Sequence, residues 1–558
     1  MSAMTIDEDY CVTHEGTAQL GGGALSMDDH ANNLMDELLA GRMTRRELIV
    51  KATLLGLSAT ATGALLAACG TTTSQPSSSK PKAGGVLRAG LTGGSSSDTL
   101  DPHSGLTYLD TARANQIYQP LLQLDASAQT ELVLAEEISP HGSTSEWIIR
   151  LRKGVTWHDG KPLTADDVIF TFQRILNPSA PLTGATSLGP VDLKGLKKMD
   201  DVTVLVPMTS PYGSFIDQLS YWYYLYIVPV GFDPTKPNGT GPFKYQSFTP
   251  GQQSTFVKNT NYWKPGLPYL DSVTIIDFAD SASLQNALVS NQIDAAGALE
   301  GAQLKVLSTN SSIKTVASNT GSITPFTMRV DQPPFNDAKV RQAFRLIVNR
   351  AQLITAALDG YASIGADVSS PYDPAYDTSL HRDQDISQAK SLLQSAGQAN
   401  LTVELVTSAA ATGMVQMATV LGQQAKQAGV TINLKVVDTS TFFGPNYLNW
   451  TFSQDFYNYS PYLAQVAQSL LPTSPFNETH WSDSNYASLY NQANATLDPA
   501  VRKDIEHQMQ KIDFNQGGYI IPCFIDSLDA YSTKLAGYQA AKVGQPLSLF
   551  DFEHFGFT

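Results

Sequence analysis

The chain has 558 residues, of which 42% are hydrophobic and 16% are charged, a balance typical of a globular protein. This length is enough for two or three domains with large hydrophobic cores. The formal net charge of −15 argues against a nucleic-acid partner, because a phosphate backbone favours a basic protein face.

Residues 44–69 have the layout of an export signal. They begin Thr-Arg-Arg-Glu-Leu-Ile, continue as an uncharged Ala/Leu/Thr/Gly run and end Leu-Ala-Ala-Cys. The run of about 17 residues is too short and too rich in Gly and Thr to predict a membrane span. A positive flank, a modest apolar core and small residues before a cut site are instead typical of a signal peptide.

The paired Arg45 and Arg46, followed by Leu48 and Ile49, resemble a twin-arginine export signal. The resemblance is incomplete, because the lysine at position 51 comes one residue late. We therefore predict that the protein is exported by the twin-arginine route.

The Leu-Ala-Ala-Cys sequence resembles the lipobox of bacterial lipoproteins, in which the cysteine is lipidated and becomes the new N-terminus. We therefore predict a signal peptide over residues 1–68 and lipidation at Cys69. The mature protein would be extracytoplasmic, anchored by lipid to the outer face of the cytoplasmic membrane. Cys11 leaves with the signal, so Cys523 stands alone and no disulfide framework is expected. The alternative is a buried helix with a chance cysteine.

Residues 69–83 are expected to form a flexible linker, because they are mainly Thr, Ser, Gln, Pro and Lys. The first strand is predicted over residues 86–90. A polar loop then leads to a helix through Asn115, Ile117 and Tyr118.

The most distinctive run covers residues 147–168. Residues 147–152 alternate apolar and charged side chains, the period of a half-buried strand. The Asp-Gly dipeptide at 159–160 predicts a tight turn. Thr164 then caps a helix, with Asp167 three residues later as a capping box.

This run resembles the signature of the peptide/nickel class (family 5) of extracytoplasmic solute-binding lipoproteins of ABC transporters, which includes oligopeptide- and dipeptide-binding proteins. Further resemblances follow in the same order along the chain. They lie at residues 239–244 (Gly-Thr-Gly-Pro-Phe-Lys), 261–263 (Asn-Tyr-Trp), 291–294 (Asn-Gln-Ile-Asp), 335–344 and 385–397.

Hydrophobic periodicity independently predicts two strand–helix–strand units. They cover residues 273–276, 281–290 and 293–296, and residues 401–405, 412–428 and 430–436. Each crossover implies a parallel pair of strands. Two such units more than a hundred residues apart suggest two α/β lobes. Ligands of such sheets lie beyond the carboxyl ends of the strands, so facing lobes would enclose a cleft.

The resemblance implies an α/β fold of the periplasmic-binding-protein-like, two-lobe class II type, with an extra subdomain on the first lobe. Two chain crossings, near Thr324 and Ser527, would act as hinges. The expected regions are lobe I at residues 84–324 plus 527–558, its subdomain at 117–201, and lobe II at 325–526.

No catalytic pattern is present: the chain lacks a Gly-x-Ser-x-Gly elbow, a phosphate-binding Gly-x-x-x-x-Gly-Lys-Ser/Thr loop and a His-Glu-x-x-His helix. Asp166 and Asp167 are adjacent on a helix and point different ways, so we interpret both as stabilising its first turn. His158 is interpreted as turn scaffold, and Cys523 as a buried core thiol. We expect no catalytic residue, cofactor or metal.

On the second lobe, the resemblance implies that Tyr457, Asn458 and Tyr459 face the ligand. Peptide binders of the family use an aspartate in this segment to pair with the α-ammonium of the ligand. Here Asn458 and Ser460 replace the aspartates, and the nearest acid is Asp455. An amide supplies only a dipole where a full charge is wanted. A neutral or N-blocked peptide and an oligosaccharide therefore stay open. For Tyr457 and Tyr459, the alternative role is packing at a strand edge.

On the first lobe, the resemblance implies that Tyr108, Thr240 and Gly241 reach the cleft. A glycine at position 241 would let the backbone approach a ligand closely. Tyr223 is a further candidate, because residues 221–224 carry too many hydroxyl-bearing rings to be wholly buried. The alternative for this run is a core or interlobe aromatic cluster.

The sequence therefore predicts a substrate-binding lipoprotein of an ABC importer that captures peptides or similar solutes in an interlobe cleft. Its partners would be the small-molecule or peptide ligand and the permease and ATPase subunits, with the protein itself a monomer. The alternatives are an oligosaccharide receptor of the same fold, a receptor that passes its ligand to a sensor, and an exported hydrolase.

Overall fold

The structure, a computed structural model, describes residues 80–105 and 107–558. The predicted signal peptide, Arg45, Arg46, Cys69 and linker residues 69–79 lie outside the described residues.

Twenty-one strands are named within the described residues. They are β1 (Val86–Thr92), β2 (Leu122–Leu124), β3 (Thr130–Leu132), β4 (Ala135–Pro140), β5 (Glu146–Leu151), β6 (Lys197–Asp200), β7 (Thr203–Pro207), β8 (Phe243–Thr249), β9 (Gln253–Lys258), β10 (Ser272–Phe278), β11 (Ala295–Ala296), β12 (Ile313–Ile323), β13 (Phe326–Met328), β14 (Ala362–Ile364), β15 (Thr402–Ser408), β16 (Thr431–Val437), β17 (Phe452–Gln454), β18 (Tyr519–Ile520), β19 (Cys523–Ser532), β20 (Leu535–Ala536) and β21 (Gly556–Phe557).

The helices of the same residues are α1 (Tyr108–Ile117), α2 (Ala165–Ile175), α3 (Ala185–Leu188), α4 (Phe215–Leu219), α5 (Ser281–Val289), α6 (Gly301–Leu307), α7 (Ala338–Ile347), α8 (Arg350–Ala357), α9 (Ile386–Ser395), α10 (Met414–Ala425), α11 (Thr439–Phe442), α12 (Tyr462–Ser469), α13 (Ser484–Ala495) and α14 (Pro499–Gln516). A last turn at Pro546–Leu549 is left-handed inside, with positive φ at Leu547 and Ser548.

The largest sheet has the strand order β12-β19-β11-β1-β10-β9-β8, and β14 also pairs with β19. β1 lies between β10 and β11 and runs parallel to both, so the two strands of the predicted crossover through α5 are parallel, but they flank β1 and do not pair with each other. β11 has only two residues, fewer than the predicted strand over residues 293–296. β19 comes from the end of the chain and pairs antiparallel with β11 and β12.

The second predicted crossover is also confirmed. β15 and β16 pair in parallel over seven residues each, and α10 connects them. A short 3₁₀ turn follows α10 and ends at Gly429, whose φ of 82° is the left-handed conformation that favours glycine. A separate sheet, in the order β17-β13-β18, packs into the same apolar core as this pair.

A third sheet, in the order β4-β5-β7-β6, belongs to the region that contains the Trp-His-Asp-Gly run. It packs with α2 around a core of its own that extends from Leu121 to Ile227. The predicted capping box is confirmed, because the side chains of Thr164 and Asp167 bond reciprocally to the backbone at the start of α2. Asp167 also accepts a hydrogen bond from the backbone of Val230, so it joins the helix to a distant loop.

Arg113 on α1 fastens this helix to the largest sheet. Its buried guanidinium lies 2.9 Å from a carboxylate oxygen of Asp98 and 2.6 Å from one of Asp277 on β10. Asp110, one turn earlier on α1, is 3.3 Å away. Burial raises the pKa of Asp277 to about 6, while the nearby Arg113 charge opposes that rise. One cation therefore holds three buried carboxylates together.

We expect Arg113→Met to lower the free energy of unfolding by about 3–5 kcal/mol, because it leaves buried carboxylates without a counter-ion. Denaturant titration followed by circular dichroism measures the change. Arg150→Met is the control: its ion pair with Glu137 is half exposed, so a loss under about 1 kcal/mol is expected. Equal losses in both variants would contradict the assigned role of Arg113.

Candidate ligand-binding site

A cavity of about 190 Å³ lies between residues 221–224 and the segments around β17. Three of the predicted ligand-binding residues, Tyr223, Tyr457 and Asn458, line it together. Eight of its twelve lining residues are aromatic, so most of the wall is made of rings. The eight are Tyr221, Tyr223, Tyr224, Phe443, Tyr447, Phe456, Tyr457 and Phe476.

Tyr108 reaches the edge of this site from the first turn of α1. Its hydroxyl donates a hydrogen bond of 3.1 Å to Oδ1 of Asn458. Its ring packs at 6.1 Å from that of Phe550. Tyr108 does not itself line the cavity, but its hydrogen-bond partner Asn458 does.

Tyr459 points away from the cavity and into a hydrophobic core, with 3% of its surface exposed. Its ring lies 5.7 Å from that of Tyr372, and its backbone N–H donates to the carbonyl of Val543. The structure therefore places Tyr457 and Tyr459 in different surroundings, although they are two positions apart on an extended segment.

Thr240 and Gly241 pack against the C-terminal end of α1 and do not line this cavity. The buried Thr240 hydroxyl donates to Oε1 of Gln119 at 3.1 Å. The Gly241 N–H donates to the carbonyl of Ile117, and a Cβ at this position would lie 2.5 Å from the carbonyl oxygen of Gln116. The close approach that requires glycine here is therefore to the helix end.

Two buried acids, Asp455 and Glu478, lie together at the site, and the sequence analysis did not predict this pair. Asp455 lines the cavity and accepts a 2.8 Å hydrogen bond from the hydroxyl of Tyr447. Glu478 lies behind Tyr457 and accepts bonds of 3.0 and 3.2 Å from its hydroxyl. Each acid is only 4% exposed. Asp455 was noticeable as the acid nearest the aromatic segment, whereas nothing in the sequence around Glu478 indicated the site.

Burial dominates the electrostatics of both acids. It raises the pKa of Asp455 to about 6, and hydrogen bonds from the Phe456 backbone and the Tyr447 hydroxyl oppose the rise. It also raises the pKa of Glu478 well above its usual value, with the nearby charge of Asp455 as the second cause. None of the described residues that line the cavity is basic.

Gln468 adds a polar group to the cavity wall. Its side chain is 8% exposed, and its amide has no hydrogen-bond partner within residues 80–105 and 107–558. The cavity therefore has a polar amide beside its aromatic walls.

A second and larger cavity, of about 420 Å³, lies near the C-terminal residues. Asp551, Glu553 and His554 on its wall are close enough to resemble a metal site. Glu553 already pairs at 2.6 Å with Nζ of Lys264, and Nδ1 of His554 lies 2.6 Å from a carboxylate oxygen of Asp551. We interpret this group as structural ion pairs.

Residues 129–500 match the profile of the bacterial extracellular solute-binding proteins, family 5 (middle). The chain belongs to this family. Its members are solute-binding proteins that work with ABC transporters outside the cytoplasm, and their fold has two lobes.

Similar proteins bind different solutes. The glutathione-binding protein GsiB of Pectobacterium atrosepticum is 28% identical over 491 residues, which cover 82% of this chain and 92% of GsiB. DppA of Helicobacter pylori, solved with the peptide STSA, superposes with a TM-score of 0.74 at 20% identity, covering 85% of this chain and 98% of DppA. NikZ of Campylobacter jejuni, solved with Ni(L-His), has a TM-score of 0.71 at 18% identity, covering 84% of this chain and 99% of NikZ.

This chain is thus a family 5 solute-binding protein that serves an ABC importer. Within its described residues, every helix is too short or too polar to cross a bilayer.

Because the pKa of Asp455 is raised, the free energy of unfolding is expected to depend on pH. Because its pKa is higher in the folded than in the unfolded state, its contribution is most favourable below about pH 4 and is lost as the pH rises through 6. A shift of about two pKa units corresponds to about 3 kcal/mol. We expect Asp455→Asn to reduce the fall in melting temperature between pH 5 and pH 7.5, as measured by differential scanning calorimetry.

The exposed Asp504 provides the control, because its carboxylate stays in solvent when the chain folds. Asp504→Asn is expected to leave the dependence of melting temperature on pH as it is in the wild type. An Asp455→Asn profile parallel to the wild type would contradict the assigned burial of this charge.

Proposed function

We propose that this protein captures a peptide or similar small solute between its two lobes, closes around it and presents the closed form to a membrane permease. The observation that carries the proposal is the aromatic cavity, which is lined from one side by residues 221–224 and from the other by residues 443–476. A ligand that contacts both sides favours the closed arrangement over the open one.

The proposed lobe I covers residues 84–324 plus 527–558, with its subdomain, and the proposed lobe II covers 325–526. This division is supported by the path of the chain between sheets. It passes from β12 to β13 through Thr324 and returns from β18 to β19 through residues 521–522. We therefore infer hinges at these two crossings, with the return slightly before the expected residue 527.

Polar contacts between the proposed lobes support a closed state. Oδ1 of Asn494 on α13 accepts bonds from both the backbone N–H and the hydroxyl of Ser214, at 3.0 and 2.7 Å. The Tyr221 hydroxyl donates to Oγ of Ser460 at 2.7 Å. These bonds exist only when the lobes approach, so they add to the stability of the closed form.

We expect Asn494→Ala to shift the protein toward an open form, because it leaves the Ser214 donors without an acceptor. The lost bonds correspond to about 1–3 kcal/mol, or roughly a 5- to 150-fold change in the open-to-closed ratio. Small-angle X-ray scattering measures this as a larger radius of gyration in the ligand-free protein.

Asn515→Ala is the matched control, since the exposed Asn515 amide bonds only to the carbonyl one turn earlier on α14. Its radius of gyration should equal that of the wild type. Identical scattering from wild type and Asn494→Ala would contradict the proposed role of Asn494 in holding the lobes together.

The ligand is proposed to be a peptide or similar solute because relatives are named for glutathione or were solved with a peptide. Native mass spectrometry of the purified protein identifies the solute that it carries. We expect this solute to raise the melting temperature and to be recovered chemically unchanged. Its turnover would favour an exported hydrolase, and an oligosaccharide would favour the sugar-receptor alternative.

The proposed anchor is a lipid on Cys69, which would hold a monomer at the outer face of the cytoplasmic membrane near the permease and its ATPase. We expect Cys69→Ser to move the protein from the membrane fraction to the soluble extracytoplasmic fraction. Replacing both Arg45 and Arg46 by lysine is expected to retain the precursor inside the cell. Cell fractionation with immunoblotting measures both, and an unchanged membrane fraction in Cys69→Ser would contradict the anchor.

A further inference from the structure

The two proposed lobes also meet at a second contact, where α4 of lobe I packs against α12, α13 and α14 of lobe II. The Gln218 amide donates to the carbonyl of Leu463 at 3.3 Å, and the Arg502 guanidinium donates to the carbonyl of Gly213 at 3.2 Å. The Gly213 N–H donates to the carbonyl of Asn494 at 2.7 Å. We call this contact the seam. Opening of the lobes would separate its two sides and admit water to the groups between them.

Three acids lie at the seam. Asp217 is on α4, Asp373 is in the loop after β14, and Glu506 is on α14, one turn after Arg502. Asp373 accepts hydrogen bonds of 2.7 and 2.8 Å from two backbone N–H groups, and Glu506 lies 3.4 Å from the Arg502 guanidinium. Within residues 80–105 and 107–558, the carboxyl of Asp217 has neither a hydrogen-bond donor nor an ion-pair partner. The seam therefore brings acids from both lobes together.

The seam has more acids than cations. Arg502 is the cation beside the acids, with 30% of its side chain exposed, while Lys503 is exposed and its ammonium donates to the carbonyl of Pro374. If all three acids were ionised, like charges on the two lobes would repel one another. Protonation of Asp217 and Glu506 removes this excess, because it leaves one carboxylate to one guanidinium.

Burial favours the protonated form of both acids. It raises the pKa of Asp217 to about 7, and the negative charge of Asp373 adds to the rise. It raises the pKa of Glu506 to about 8, and the charges of Asp373 and Asp217 add to that rise. The Arg502 charge opposes both shifts, and the Lys503 charge opposes the second. Each acid thus responds to a charge on the other lobe.

The other titratable groups that face these two acids are tyrosines. Burial raises the pKa of each of them above its usual value, so they remain neutral between pH 5 and pH 8.5. They are Tyr212, Tyr459 and Tyr490 near Asp217, and Tyr462 and Tyr486 near Glu506. A change of charge at the seam in this range therefore belongs to the two acids.

We propose that closure of the lobes takes up protons at Asp217 and Glu506, so that the seam favours the closed form at low pH and the open form as the pH rises. This inference rests on the proposed closure of two lobes about a hinge. In the open form both acids would be in water and would have ordinary pKa values of about 4. The stabilisation of the closed form is thus complete below about pH 4 and is lost as the pH rises toward 8. Over that range the closed-to-open ratio falls about tenfold per pH unit for each proton taken up.

Small-angle X-ray scattering of the ligand-free protein between pH 5 and pH 8.5 tests the proposal. We expect the radius of gyration of the wild type to rise with pH, while circular dichroism shows that the secondary structure is retained. The double variant Asp217→Asn with Glu506→Gln keeps the size of both side chains but carries no charge on them at any pH. Its radius of gyration at pH 8.5 should equal its value at pH 5. A rise as large as that of the wild type would overturn the proposal.

Asp513→Asn is the matched control. Burial raises the pKa of Asp513 to about 7 as well, yet this acid lies inside lobe II, where the charges near it are those of Arg345 and Asp367. We expect its scattering profile to follow the wild type, although the dependence of its melting temperature on pH changes. A profile that follows the double variant instead would contradict the assignment of the effect to the seam.

The same titration of Asn494→Ala separates this inference from the proposed function. This variant starts nearer to the open form, so we expect its radius of gyration to rise at a lower pH than that of the wild type. Flat profiles in both proteins would overturn proton uptake at the seam. If Asn494→Ala is then larger than the wild type at every pH, closure about the hinge stands and only the proton uptake is wrong. If neither pH nor Asn494→Ala changes the radius of gyration, the proposed closure itself is contradicted.

Discussion

The position of β19 constrains the whole molecule. This strand comes from near the end of the chain, yet it lies between β12 and β11 inside the largest sheet. The sheet is therefore complete only after the chain has left it, formed the region of β13 to β18 and returned. Outward and return paths run side by side, since Ile323 pairs with Phe524 and Phe326 pairs with Ile520. Any motion of one region against the other must bend both paths together, which favours a hinge over independent rotation.

Two clusters of buried charge inside the cores contain both signs, whereas the acids at the cavity have no cation beside them. Arg113 has three carboxylates around it, and Asp367 has two arginines, so these two buried clusters within the cores contain both signs of charge. Asp455 lines the cavity and Glu478 lies behind Tyr457, and no residue that lines the cavity is a cation. Paired charges rigidify a core, whereas an unpaired charge is stabilised when an opposite charge arrives. The acids without a cation beside them therefore lie at the place where a solute would be held.

Of the ligand-binding residues inferred from the family resemblance, some line the cavity and others pack elsewhere. Tyr223, Tyr457 and Asn458 meet at one cavity, although more than two hundred residues separate the first from the others. Thr240, Gly241 and Tyr459 instead pack against a helix end or into a core. In a regular strand, Tyr457 and Tyr459 would point to the same side, so the sequence could not assign them different surroundings. In the structure, the segment makes only one β-bridge, from Tyr457 to Ile323, and the two side chains then point to different places.

The sequence alone determined the elements whose causes are local. The capping box of Thr164 and Asp167, the stop at Gly429 and the two parallel crossovers depend on residues that are near one another in the chain, so their patterns could be interpreted directly. Only the tertiary structure decided which side chains share the cavity and that Glu478 stands behind Tyr457. Such contacts join residues with no common period or spacing, and burial, which sets their charge, exists only once distant segments have packed together.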